Sequence, residues 1–204
     1  MNDPGPRPDG RQVWQTLMAG NMRFVLGLFQ GRNLLDLRTT LTKGQRPMAA
    51  VLCCSDSRVP AEIIFDQSLG DLFVVRTAGC VLEPTSIGSL EYAVEHLKVP
   101  LLVIKGHESC GAVTAAVNHP EAAAGHISAI VRQIAPAADQ ARQGGWSGYD
   151  LVEAATELHL KSLAQTLRRE SAIIREALDG GHLAMLVVKY FLNCGRVETL
   201  GSPF

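Results

Sequence analysis

Runs of positive charge, long apolar stretches and a regular cysteine ladder are all missing from this sequence, and each absence removes a class of function. Lysine and arginine total 19 against 20 aspartate and glutamate, for a formal net charge of -1 and a pI near 6.6. No cluster of them offers the footprint of a nucleic-acid or anionic-membrane binder. No segment reaches the roughly eighteen uninterrupted apolar residues of a membrane-crossing helix, and residues 1–10 carry no apolar signal-peptide core. Five cysteines at irregular spacing make an odd count in a chain too large to need stapling, so reduced thiols are expected rather than a disulfide framework. There is no internal repeat and no low-complexity segment. A cytoplasmic protein with a small soluble partner, not a nucleic acid or a membrane, is the expectation.

What is present is core-forming sequence. The 204 residues are 47% hydrophobic, enough for one substantial core and short of what two ordinary domains need. Residues 1–10, rich in proline and glycine, read as a disordered tail, and 11–204 as a single domain. Val13, Leu17, Phe24 and Leu28 predict one or two amphipathic N-terminal helices, with a possible break at Gly20-Asn21. A polar, turn-rich stretch over 39–47 follows. Apolar runs over 48–53, 72–76, 101–105 and 183–188 predict buried strands, and 196–200 a short returning strand after a turn at Asn193-Cys194-Gly195.

Between the strands lie expected helices over 60–65, 85–97, 111–118, 121–143 and 151–178, with Pro136 expected to break or kink the fourth and Gly180-Gly181 to end the last. Strand and helix alternate. The predicted fold class is therefore α/β: a mostly parallel central sheet of about four parallel strands plus a C-terminal edge strand, flanked by helices, with an N-terminal helical arm.

Two fragments, Cys54-Ser55-Asp56-Ser57-Arg58 and His107-Glu108-Ser109-Cys110-Gly111, each follow one of the apolar runs. Strand ends are where such folds place their chemistry. Thiolate and imidazole suit Zn²⁺; His107 and Cys110 can grip one ion from a strand-to-helix junction, and Cys54 from a second strand end supplies a third ligand. Three protein ligands leave one tetrahedral position for water or substrate, the mark of a catalytic site. Asp56 either takes that position itself or turns away to pair with Arg58, leaving a water whose pKa falls towards neutrality. Cys53, adjacent on the strand, points to the opposite face and is expected to be a buried apolar thiol.

With these residues in place the chain resembles the β-class carbonic anhydrases, whose zinc motif reads Cys-x-Asp-x-Arg followed by His-x-x-Cys. The likeness extends through Val59-Pro60-Ala61-Glu62, 70–76, 89–94 and 106–112, and covers roughly 14–200. It implies reversible hydration of carbon dioxide to bicarbonate and a proton by attack of zinc-bound hydroxide, with one Zn²⁺ per chain on Cys54, His107 and Cys110. It implies further that Asp56 accepts a hydrogen bond from the zinc-bound species while Arg58 holds Asp56. Gln45 then donates to the bound oxygen, Phe73, Ala78 and Tyr92 line a narrow apolar pocket, and Gly111 is a further substrate-binding position.

Such enzymes are usually dimers or larger, with pocket residues crossing between subunits. The helix over 14–29 is then the expected arm around a neighbour, in a homodimer or a dimer of dimers (homotetramer). Two positions depart from common family patterns: Cys80 falls where many relatives have an asparagine-containing segment, and Val51 where a subset has a tryptophan belonging to a bicarbonate site. The resemblance is thus to the non-tryptophan, plant-like type of site. Asp56 is expected to pair with Arg58 near neutral or alkaline pH and to become a fourth ligand only in a closed state.

Plainer readings stand beside these. Cys54, Cys110 and His107 could be two structural cysteines and a satisfied histidine, Asp56–Arg58 a structural salt bridge, Gln45 a solvated amide, and Phe73 and Tyr92 ordinary packing. His96, His119, His126, His159 and His182 read as surface or helix-end residues, and Cys80 and Cys194 lack a partner at redox spacing. Two other functions fit the same site: hydrolysis of carbon disulfide or carbonyl sulfide, and a catalytically silent zinc-binding regulator.

Overall fold

The computed structural model describes residues 7–118 and 124–202. Its centre is fixed by two runs that are buried at every position, β1 (Ala49–Cys54) and β3 (Leu101–His107). A strand covered on both faces has no use for alternation, so such runs belong in the middle of a parallel sheet. They lie side by side there. β2 (Leu72–Thr77) pairs with β1, β4 (Ala184–Tyr190) pairs with β3, and β5 (Val197–Thr199) adds an antiparallel edge, giving the order β2-β1-β3-β4-β5. This is the expected sheet of four parallel strands and a C-terminal edge strand.

That order creates the site. The chain leaves β1 towards β2 on one side and returns to place β3 on the other, so the connections after β1 and β3 diverge and open a crevice at their C-terminal ends. Cys54 is the last residue of β1 and His107 the last of β3.

Helices α1 (Gly10–Leu26), α2 (Leu34–Thr40), α3 (Ala61–Ile64), α4 (Pro84–Glu95), α5 (Gly111–Asn118), α6 (Ile127–Gln143), α7 (Gly148–Glu170) and α8 (Ala172–Asp179) flank the sheet. Several differ from the sequence expectation, each for a local reason. α1 runs unbroken through Gly20-Asn21. Gly20 instead lets the helix touch the chain after α3, because a Cβ there would stand 1.8 Å from the Phe65 carbonyl oxygen. Asn21 donates to the Ile64 and Gly195 carbonyls at 3.1 and 2.8 Å and accepts from Val197 N at 3.0 Å. The dipeptide is a docking point.

Asp9 caps α1 through a reciprocal box with Gln12, and Arg7 donates to the Pro47 and Lys98 carbonyls. Residues 1–6, His119 and the 121–123 start of the expected 121–143 helix lie outside the described residues. α2 was not foreseen; Asn33 caps it by accepting from Leu35 N and Asp36 N.

α4 starts on Pro84, one residue before the expected 85–97 helix, with Glu83 and Ser86 forming the cap. α6 continues through Pro136, held by Val131, Ile134, Ala138 and Ala141 on its buried face. The expected 151–178 helix is two: the Ser171 hydroxyl accepts from Ile174 N at 3.1 Å and donates to Glu91 Oε1 at 2.6 Å, starting α8 afresh.

Candidate metal centre

Beyond Cys54 the chain makes an Asx turn: the Asp56 side chain accepts from Arg58 N at 2.9 Å, and Val59 N donates to the Asp56 carbonyl at 3.2 Å. Arg76 of β2 ties this turn down, donating to the Cys54 carbonyl at 3.0 Å and the Asp56 carbonyl at 2.6 Å. Beyond His107, Glu108 N donates to the Tyr190 carbonyl at 3.0 Å, and the Glu108 carboxylate accepts from Asn193 N at 3.0 Å. Ser109 then takes a left-handed φ of 52°, which swings Cys110 back towards β1 before α5 begins.

These two turns bring one ligand atom each from Cys54, His107 and Cys110 within 4.8 Å of one another, all three buried. The tautomer of His107 follows from its neighbours. Nδ1 lies 2.8 Å from the Glu108 carbonyl and so carries the proton, which leaves the Nε2 lone pair buried with no hydrogen-bond partner. An orphaned acceptor beside two thiols is costly in a protein interior and is what a metal ligand looks like without its ion. The donor set of two sulfurs and one imidazole fits Zn²⁺.

The surroundings favour anionic sulfur. The Cys54 thiol is pulled well below its ordinary range by hydrogen bonds, first from Cys110 and further from the Gly79 N–H, against burial, which acts the other way; the bond it receives from Cys110 pushes the Cys110 thiol up. Gly79 N approaches Cys54 Sγ at 3.4 Å. Asp56 is held far below the usual carboxylate range by the Arg58 side chain, with burial opposing. Arg58 Nε and Nη2 grip its two oxygens at 3.0 and 2.7 Å, and Asp56 Oδ2 stands 4.0 Å from His107 Nε2. Asp56 is therefore turned towards Arg58.

The other named residues divide. Ala78 follows Thr77, the register partner of Cys54, and Gly111 follows Cys110 with open space where a Cβ would stand, so both border the trio. Gln45 is exposed in the loop before β1. Phe73 and Tyr92 pack with ring centroids 6.1 Å apart and planes tilted by 38°, but Phe73 pairs in register with Ala50, four residues back from Cys54, or about 13 Å along the strand. Within one chain this aromatic pair and the trio are not brought together. A cavity of about 520 Å³ lined by Val94, Lys98, Ile173, Glu176 and His182 lies between α4 and α8 and does not include the trio either.

Cys53 is fully buried, as expected for the opposite face of β1. His159 corrects the sequence reading, because it is 2% exposed rather than superficial. Its Nε2 donates to the Gly79 carbonyl at 2.8 Å, bracing the turn whose N–H reaches Cys54. The signal was available: His159 falls at i+3 and i+4 from Thr156 and Ala155 on the buried stripe of α7.

A carbonic anhydrase family model matches residues 49–197, a span that starts with β1 and takes in both metal-binding turns. Carbonic anhydrase 2 of Mycobacterium tuberculosis is 43% identical over 195 residues, 94% of this chain and 93% of that protein. Among solved structures, a β-carbonic anhydrase of Aspergillus fumigatus superposes with a TM-score of 0.75 at 28% identity, covering 83% of each chain. A chain from the structures of two tetrameric β-carbonic anhydrases of Sordaria macrospora shares the fold at a TM-score of 0.75 and 24% identity, over 94% of this chain and 98% of that one. None of these names lends support to a carbon disulfide hydrolase or a silent regulator. A Cys-His-Cys trio at the switch point of a β2-β1-β3-β4-β5 sheet, in a chain matched over most of its length, makes this protein a member of the β-carbonic anhydrase family.

Proposed function

We propose that the chain hydrates carbon dioxide reversibly to bicarbonate and a proton, with one Zn²⁺ held by Cys54, His107 and Cys110. The observation that carries the metal assignment is the buried, unpartnered His107 Nε2 within 4.8 Å of two thiols. When bound, the ion supplies Lewis-acid activation, bringing the ionisation of water towards neutral pH. The chain's own residues do the rest. Arg58 occupies both Asp56 oxygens and would keep that carboxylate from binding an ion held by the trio. Asp56 Oδ2, held as a carboxylate by Arg58, would accept a hydrogen bond from the O–H of the nucleophile and so orient its lone pair towards the carbon.

Ala78 and Gly111 leave room at the trio for a small linear substrate with no net dipole. Phe73 and Tyr92, which do not reach the trio of their own chain, serve as pocket residues for a second copy, and exposed Gln45 is assigned with them. A homodimer or dimer of dimers follows from that, as does an interface that includes the end of α1. No described helix is long and apolar enough to cross a membrane, and a cytoplasmic location fits five free cysteines.

Stopped-flow carbon dioxide hydration across pH, with zinc measured on the same sample, tests this reading. About one zinc per chain with turnover rising towards alkaline pH is expected; one zinc per chain with no alkaline turnover would overturn it.

A further inference from the structure

Glu153 has no part in the chemistry just described, yet it reaches the turn on which that chemistry depends. Ser109 lies between His107 and Cys110 at φ 52°, a conformation that residues with a Cβ adopt rarely. Its N–H donates to Glu153 Oε1 of α7 at 2.8 Å. The other carboxylate oxygen lies 2.8 Å from Lys189 Nζ of β4, an ion pair without the geometry of a directed hydrogen bond. Lys189 is itself 4% exposed, donates to Glu157 Oε1 at 3.1 Å and sits over the Phe191 ring at 5.3 Å. The carboxylate is thus fixed from behind.

Gly106 explains how α7 comes so near. It pairs in register with Lys189, and a Cβ on it would meet Leu160 of α7 at 2.3 Å. A charged acceptor strengthens the bond to Ser109. Ser109 is exposed, so without the carboxylate water would solvate the freed N–H but would not hold the turn.

We propose that Glu153, backed by Lys189, is a positioning residue that holds Ser109 in its left-handed conformation and thereby sets the spacing of His107 Nε2 and Cys110 Sγ for the metal. This rests on the zinc reading above. The test compares wild type with E153A, E153Q, K189M and the double variant S109G/E153A. Three measurements are made on each: zinc release to a chelator, absorption of the cobalt-substituted protein, and the melting temperature of the metal-free and zinc-loaded forms.

E153A is expected to release zinc about 10–100-fold faster and to shift the thiolate-to-cobalt band. E153Q, which keeps an acceptor oxygen and loses the ion pair, falls between, as does K189M. Glycine accepts φ 52° without cost, so S109G is expected to restore slow release in the E153A background. Unchanged release and spectra in E153A and E153Q would overturn the proposal. So would fast release that S109G does not rescue, with equal melting losses in both forms, because that describes a general brace. A wild type that retains no zinc would overturn the metal reading itself, a result distinguishable from either.

Discussion

A carboxylate two residues from a metal ligand has to be kept from becoming one. Arg58 does this by holding both Asp56 oxygens, at an exposed position where a lone salt bridge is worth little to stability, so its effect belongs to the site. Arg58→Ala is expected to leave zinc content intact and to lower carbon dioxide hydration by about 10–100-fold, read by stopped flow with zinc analysis. Unchanged turnover would show that Asp56 needs no restraint.

His159 offers a second test at the same scale. Burial lowers its pKa, with the bond to Gly79 opposing, so the folded protein keeps it neutral. The unfolded chain takes up a proton at about pH 6.5, before the folded one does. Stability is therefore lost as pH falls below that value, by up to about 1.4 kcal/mol per pH unit until the folded pKa is passed. His159→Gln should flatten this slope between about pH 7.5 and 5.5, measured as urea midpoints. Parallel slopes for the two proteins would mean that the buried ring is not what titrates.

At the scale of elements, what could be read in the sequence was whatever depends on one local pattern. β1 and β3 were visible because a doubly covered strand is apolar throughout, and the two motifs were visible because a metal fixes both residue type and spacing. What escaped was decided by contacts distant in sequence. Gly20-Asn21 has the composition of a helix break, yet Phe65, Ile64, Gly195 and Val197 make it the seat of α1. Ser171 looks like an ordinary helical serine until Glu91 takes its hydroxyl. The positions of Phe73 and Tyr92 relative to the trio depend on sheet register, which no motif carries. Gly20→Ala should consequently behave unlike a surface helix substitution. It places a methyl against the Phe65 backbone and is expected to cost at least about 2 kcal/mol, seen as a lower urea midpoint at unchanged slope, where an exposed glycine in a helix would gain from the change.

At the scale of the whole molecule, the apolar surface is unevenly spent. Met22, Leu26, Leu28 and Phe29 at the end of α1, with Leu34 and Leu35 of α2 and Ile63 of α3, are each at least half exposed. Phe29, Leu34 and Ile63 line one groove, and exposed apolar residues gathered in this way mark an interaction surface. The same chain leaves Phe73 and Tyr92 packed together away from its own trio, with Tyr92 47% exposed. The proposed oligomer would account for both facts, with a second copy covering the apolar ends of α1 and α2 and delivering its aromatic pair to the first copy's trio. Leu26→Glu combined with Phe29→Glu puts two charges into that patch without touching Cys54, His107, Cys110, Asp56 or Arg58. Sedimentation should then show a smaller particle, zinc content should stay near that of the parent, and kcat/KM should fall at least about tenfold if the proposed aromatic pair is withdrawn from the trio. A monomer with full turnover would instead show that one chain completes the pocket alone.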